Sequence, residues 1–182
     1  MTELLEQVAS RVDRDRVVEL AQGVLRIPSL SDQEEEVARY LAQRMEEIGM
    51  DVELQPVAPN PYMNQPSVNA IGRLNGTGGG PTLLFSGHMD HNPVCDGWTK
   101  DPFGAVVEDG WIYGFMHMKS ANAAYIAGLE AVIAAGIPLT GDVVIAMSAA
   151  SLEAVRAHAM RLNTGLRPTS SSLANRPSWS WR

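Results

Sequence analysis

Two runs, "PTLLFSG" at 81–87 and "GDVVIAMSA" at 141–149, are apolar along nearly their whole length. Strands of that kind are covered on both faces, whereas a strand with one wet face alternates apolar and polar residues. Each run therefore predicts a strand buried between other layers. The segments around them have a different period. Val17, Val18, Leu20, Ala21, Val24 and Leu25 recur at helical spacing and predict a helix over 14–27, stopped by Pro28. Val37, Tyr40, Leu41, Met45 and Ile48 form the apolar face of a second helix, with Ser31 and Glu34 spaced as a capping box and Gly49 suited to the C-terminal cap. An Ala-rich helix is predicted over 119–135, with Tyr125, Leu129, Val132 and Ile133 inward. "DVELQPV" and "VNAIGRL" read as further strands, "NGTGGG" as a tight turn and "EDGWIYG" as a hairpin turn with a short strand. Helices alternating with apolar strands specify an α/β layered sheet. No internal repeat is present.

The charge excludes some functions. A net charge of −7 argues against a nucleic-acid binder, which would carry a basic face. The longest apolar stretch, 123–139, is interrupted by Glu130, so no membrane span is expected, and the charged N-terminus has no signal-peptide core. Cys95 is the single cysteine, which rules out an intrachain disulfide and makes a cytoplasmic location the expectation.

The run "LLFSGHMDHNPVCDGWTKDPFG" ends its strand in His88-Met89-Asp90 and passes straight into a loop rich in Pro, Gly and Trp. Residues two apart on a strand point to one side, and open α/β sheets bind ligands just beyond the carboxyl ends of their strands. An imidazole binds Zn²⁺ well, and a nearby carboxylate can fix its tautomer and raise its basicity. Taken alone, a His near a strand end is more often a hydrogen-bonded structural residue than a ligand. A non-catalytic α/β binding module, using loop 91–104 for a ligand, is then the alternative.

The longer segment "GHMDHNPVCDGWTKDPFGAVVEDGWIYGFMHMKSANAAYIAGLEAVIAAG" resembles the zinc-dependent peptidase and deacylase family of acetylornithine deacetylase, succinyl-diaminopimelate desuccinylase, aminoacylase and carboxypeptidase G. The shared pattern is a G-H-x-D strand end, a "W..DPF" loop, a "DG.(I/L)YG" turn and a "DMK" or "NMK" helix start. "IPSLSDQEEEVARYLAQRMEEIGMDVELQPV" also resembles that family's opening helix and strand, so the resemblance runs from about residue 14 to 147. It implies a three-layer αβα sandwich of the zinc-exopeptidase type and a two-metal amide hydrolase acting on N-acyl amino acids or small peptides. His88 would ligate zinc and Asp90 would orient it; Co²⁺ and Mn²⁺ also suit such sites. A carboxylate from the "DMK" position would bridge the metals, and a later Glu would act as general base.

The chain departs from that pattern in two places. The bridging position reads His117-Met118-Lys119, two residues closer to Gly114 than in the family. A neutral imidazole has one free lone pair, so His117 can ligate one metal but is not expected to bridge two. His117 is equally readable as a polar residue at a helix start. His91 is expected to line the loop, and Lys119 and Asn122 to cap and pack the helix start. After "GDVVIAM" the composition also changes. Residues 151–182 hold five Arg and one acid, a net of +4, which leaves −11 on the first 150 residues. With suitable codons, a shifted reading of "SLANRPSWSW" spells "IGEPTELEL", close to the family's acidic "GEPT" motif. The expectation is therefore a catalytic-domain part over 1–147 and a frameshifted, poorly ordered tail over 148–182. The general-base Glu, the later ligands and the lid domain through which the family often dimerises would then be absent. At most a partial metal site would remain, with uncovered sheet edges and no activity.

Overall fold

The computed structural model describes residues 2–57 and 67–149. Helix α1, Thr2–Ala9, was not foreseen; it buries no residue and is tied to the body where Gln7 Nε2 donates to the Ala135 carbonyl at 2.9 Å. Helix α2, Arg14–Leu25, starts where the Asp13 carboxylate accepts from the N–H groups of Asp15 and Arg16, satisfying two donors that have no partner within the helix. It buries Leu20, Ala21, Val24 and Leu25.

Helix α3 spans Glu35–Glu47 and buries Val37, Ala38, Leu41, Ala42 and Met45. The expected capping box does not form. The helix starts later, and Glu34 is buried with its carboxylate accepting from Ser67 Oγ, while Ser31 is drawn off to another partner. The end is as expected. Gly49 takes a φ of 85°, its N–H reaching the Glu46 carbonyl and that of Met50 the Met45 carbonyl, both bonds of a Schellman turn.

Four strands form one sheet in the order β1-β2-β6-β3: β1 Asp51–Val57, β2 Ser67–Leu74, β3 Leu83–His88 and β6 Val143–Ser148. The β1–β2 and β2–β6 pairs are antiparallel, and β3 runs parallel to β6, with Leu83 opposite Val143 and His88 opposite Ser148. The crossover between β3 and β6 carries a hairpin, β4 Val106–Glu108 and β5 Trp111–Tyr113, and then helix α4, Lys119–Ala134. Asp109 and Gly110 turn the hairpin with φ of 50° and 82°, the left-handed pair that a two-residue hairpin turn requires. Among the described residues no helix is long and apolar enough to cross a membrane.

One core joins the layers. Leu20 and Val24 of α2, Val37, Leu41 and Met45 of α3, and Ile126 of α4 meet Val143, Ile145 and Met147 of the sheet. Arg16 of α2 reaches Glu130 of α4 at 2.9 Å across the edge of this core, and that hydrogen bond raises the guanidinium's pKa further. The fold is the expected α/β class. Strand β6 is buried at every residue, as its apolar run required. Strand β3 is not. Within the described sheet it pairs with β6 alone, and Leu83 and Leu84 are 53% and 39% exposed. A groove of about 340 Å³ opens beside it, lined by Leu83, Phe85, Tyr125, Leu129, Val132 and Val143. Ile133, expected inward, is exposed; the helix turns Ala123, Ile126, Ala127 and Leu129 to the core instead. Of the expected tail, 148–182, Ser148 closes β6 and residues 150–182 lie outside the described residues.

Burial on this scale separates two substitutions. Ile145→Ala should cost about 2–5 kcal/mol, the range for truncating a fully buried aliphatic side chain, while Leu83→Ala should stay within about 0.5 kcal/mol, as exposed positions do. Urea unfolding of both variants checks the difference.

Candidate metal centre

The carboxyl end of β3 and the start of α4 converge. The His88 ring places Nδ1 at 3.0 Å from Asp90 Oδ1 and 3.1 Å from the Asp90 carbonyl. Both neighbours are acceptors, so Nδ1 must carry the ring hydrogen. In the neutral ring the lone pair then lies on Nε2, the tautomer suited to a metal. The His88 side chain is 20% exposed and that of Asp90 fully buried. A buried carboxylate needs partners on its second oxygen too, and Ser31 Oγ donates to Oδ2 at 2.9 Å.

Two further contacts fix the strand end from α4. Asn122 Nδ2 donates to the His88 carbonyl at 2.8 Å. Gly87 is the residue that permits this approach, since a Cβ there would stand 2.2 Å from Asn122 Oδ1. His117 lies immediately before α4 with a φ of 39°, in the left-handed region. His, Asn and Asp enter that region more readily than most residues. The turn brings its ring edge-on to His88, with centroids 4.9 Å apart.

The loop after β3 forms a wall. Phe103, His91, Phe115 and Trp98 follow one another in tilted ring contacts, with centroid separations of 5.3 Å for His91–Phe103, 5.0 Å for His91–Phe115 and 5.8 Å for Trp98–Phe115. His91 is buried rather than merely lining the loop. Its Nε2 accepts from the Ser29 N–H at 2.9 Å and its Nδ1 faces the Asn92 carbonyl at 2.7 Å, so it is held neutral with the hydrogen on Nδ1. Burial lowers its pKa, with nearby Lys119 and His117 adding to the effect. Lys119 is itself buried, donates to the Ile27 carbonyl and has a pKa lowered by burial to about 8.

The structure thus brings together His88, Asp90 and His117. Lys119 and Asn122 are buried at the helix start as expected but do not cap it: the cap position is Met118, and their side chains donate instead to the Ile27 and His88 carbonyls. Ser29, Ser31 and the structural role of His91 were missed. Their one signal was "IPSLS", a pair of serines after a proline, which by itself reads only as a loop.

A metal fits part of this arrangement. One imidazole is held in the right tautomer by a buried acid and a second faces it. Two nitrogens are fewer than the three or four protein ligands of catalytic and structural zinc sites. Among the described residues no group of three or more His, Cys, Asp or Glu side chains is arranged to hold an ion.

Comparison with known proteins agrees with the motifs. The Peptidase family M20/M25/M40 profile matches residues 84–150. A succinyl-diaminopimelate desuccinylase of Acidiphilium cryptum is 33% identical over 116 residues, 63% of this chain and 29% of its own length. One from Methylobacterium nodulans is 37% identical over 119 residues, 63% of this chain and 29% of its own length. The chain therefore spans about a third of these relatives or less. In fold it is similar to a di-peptidase from Saccharomyces cerevisiae, with a TM-score of 0.68 at 19% identity over 81% of this chain and 34% of that one. Human carnosine dipeptidase 1 gives 0.68 at 21% identity, over 84% and 35%. A dinuclear metal-binding peptidase of the M20 family from Bacillus subtilis gives 0.52 at 19%, over 79% and 37%.

Two expected outcomes follow from this geometry. Because the folded-state pKa of His91 lies below that of the unfolded chain, the unfolded state binds more protons between the two values. The contribution of His91 to stability is complete above about pH 6.5, the ordinary histidine value, and is lost as pH falls through the folded value. Urea midpoints from pH 7.5 to 5 should fall in the wild type and fall less in His91→Gln. Gly87→Ala should displace Asn122 and cost about 1–3 kcal/mol, the usual range for overpacking, read by thermal unfolding.

With the G-H-x-D strand end and the aromatic loop on the same elements, residues 84–150 are similar to Peptidase family M20/M25/M40, and the fold is similar to about a third of the solved dipeptidases.

Proposed function

We propose that this sequence derives from a metal-dependent amide hydrolase, an N-acyl amino acid deacylase or small-peptide exopeptidase, and that the 182-residue chain alone does not turn substrate over. The observation that carries the reading is the His88 ring, held at Nδ1 by buried Asp90 with Nε2 left for a cation and His117 beside it. A metal bound there would supply Lewis-acid polarisation of an amide carbonyl and a more acidic water.

The chain's own residues do the rest of what is proposed. Asp90 holds the hydrogen of His88 on Nδ1 and strengthens Nε2 as a donor. His117 offers a second nitrogen but, as an imidazole, cannot bridge two ions with one side chain. The aromatic wall of Trp98, Phe103 and Phe115 keeps one side of the site apolar, which strengthens electrostatic contacts within it. Residues 1–147 are read as part of the catalytic domain and 148–182 as a tail not shaped for it. The desuccinylase and dipeptidase names of the relatives support amide-bond substrates of small size. A cytoplasmic setting goes with the lone, exposed Cys95.

The second reading, a binding module with a purely structural His88–Asp90 pair, is favoured by the same hydrogen bond if no cation binds. Isothermal titration with Zn²⁺ separates them. One site per chain, lost in His88→Ala and weakened about 10-fold or more in Asp90→Ala, is expected, since removing the partner of a ligating His costs roughly 10–100-fold in affinity. No zinc uptake at any pH from 6 to 8.5 would remove the hydrolase reading. Release of acetate from N-acetyl amino acids by this chain with zinc would overturn its inactivity.

A further inference from the structure

His88 and His117 meet with their ring nitrogens differently employed. His88 Nδ1 has two acceptors, the Asp90 carbonyl at 3.1 Å and the Asp90 carboxylate at 3.0 Å, so either one alone keeps the hydrogen there and the lone pair on Nε2. His117 is exposed, and its ring touches the rings of His88, at 4.9 Å between centroids, and Phe115, at 6.3 Å. Among the described residues, none hydrogen-bonds to either His117 nitrogen. Two imidazoles that share one zinc through nitrogens about 2.0–2.1 Å from it have ring centres about 5 Å apart at the tetrahedral angle. The observed spacing is therefore that of two rings able to share an ion. Acids do not join them. Asp90 turns its oxygens to His88 Nδ1 and Ser31 Oγ, and the Glu34 carboxylate is engaged at Ser67. No group of three or more His, Cys, Asp or Glu side chains is arranged around an ion among the described residues. The charged side chain that opens α4, buried Lys119, is a cation turned to the Ile27 carbonyl.

We propose that His88 and His117 form an all-imidazole centre for a single ion, which takes nitrogen-seeking cations, Cu²⁺ foremost, and rejects Mn²⁺ and Mg²⁺. The proposal rests on the reading of this cleft as a cation site and narrows which cations that site accepts. Imidazole suits zinc, copper and nickel, whereas manganese and magnesium are held by carboxylates, carbonyls and water. Two neutral rings bring no negative charge, so nothing offsets the cost of taking water from a hard cation. Affinity for nitrogen donors rises from Mn²⁺ through Co²⁺ and Ni²⁺ to Cu²⁺ and falls again at Zn²⁺. Mn²⁺, which the sequence resemblance allowed, is therefore the ion this pair excludes. A carboxylate at 117 would reverse the preference by adding a charged oxygen donor. The two rings fill two of the ion's positions and leave the others to water, so the ion is exchangeable and a chelator removes it.

The test uses the full chain, stripped with EDTA and titrated separately with Cu²⁺, Zn²⁺ and Mn²⁺ by calorimetry at about pH 7.5, where an ordinary imidazole is neutral. One Cu²⁺ per chain, bound about 10-fold or more tighter than Zn²⁺, with no uptake of Mn²⁺, is expected. Electron paramagnetic resonance of the Cu²⁺ form should show superhyperfine coupling to two imidazole nitrogens. Asn and Asp enter the left-handed region as readily as His, so both can replace His117 without disturbing its turn. His117→Asn should leave coupling to one nitrogen and lose at least about 10-fold in affinity, the smaller effect of removing a ligand's outer partner. His117→Asp should gain Mn²⁺. His158→Gln, which lies outside the described residues, should change none of these readings. Mn²⁺ bound as tightly as Zn²⁺, with both lost in His88→Ala, keeps the hydrolase reading and overturns this proposal. Cu²⁺ and Zn²⁺ affinities unchanged in His117→Asn overturn it as well. Cu²⁺ held by both rings in a chain that takes up no Zn²⁺ upholds the pair and removes the hydrolase reading. No uptake of any of the three ions removes both.

Discussion

The pairing of His88 Nδ1 with Asp90, hydrogen-bonded to its carbonyl and 3.0 Å from its buried carboxylate, is the contact on which the rest of the site depends. It has a cost: an acid at 0% exposure has given up its hydration and must be repaid by its partners. Three structural facts answer that requirement. The imidazole lies 3.0 Å from one oxygen, a serine from a different connection donates to the other, and the backbone beneath is fixed by Asn122 at the His88 carbonyl. A pair serving the fold alone could have been replaced by apolar side chains of similar volume, often with a gain in stability. Keeping the pair's geometry while leaving Nε2 uncommitted is the arrangement a cation needs.

The supporting shell is assembled from segments far apart in sequence. Ser29 and Ser31 come from the α2–α3 connection, Asn122 and Lys119 from the first turn of α4, and Phe103 and Phe115 from the crossover loop. Each reaches the strand end because α2, α3 and α4 share one core with β6. Packing far from the site therefore sets its geometry: a shift of α4 against the sheet would move His117 and Asn122 together. His91 belongs to this frame rather than to the chemistry. It is neutral and buried, satisfied at both nitrogens by the chain itself.

The parts of this molecule that were legible in the sequence are those governed by local pattern. The periods of α2, α3 and α4, the Schellman glycine at Gly49, the Asp109–Gly110 turn and the two apolar strands all follow from neighbours a few residues away. What was not legible depends on partners distant in the chain. Ser31 and Glu34 have the spacing of a capping box, yet each finds a stronger demand elsewhere, Ser31 from buried Asp90 and Glu34 from Ser67. Strand β3 reads like β6 but is exposed at Leu83 and Leu84, because composition reports what a strand can tolerate and not which strands flank it. Ile133 faces outward because the Ala-rich α4 can pack closely through Ala123, Ala127 and Ala131, and this sets its rotation. His88 and Asp90 were visible as a pair; that a serine 59 positions upstream would hold the acid was not.

His117 shows how one residue limits what the site can do on the proposed reading. The connection from β5 to α4 is short, and the chain makes the turn by placing His117 in the left-handed region, at φ 39°. That conformation costs a non-glycine residue of order 1–3 kcal/mol, so the turn must be held by the elements it joins, chiefly through Lys119 and the first turn of α4. The cost has a geometric return: the ring arrives 4.9 Å from His88. A carboxylate in its place could offer two oxygens to two ions. An imidazole offers a single lone pair, so the described pair is matched to one cation held between two rings rather than to a bridged couple. On the proposed reading, the imidazole at 117 separates this site from a dinuclear one together with the lack of a third ligand among the described residues.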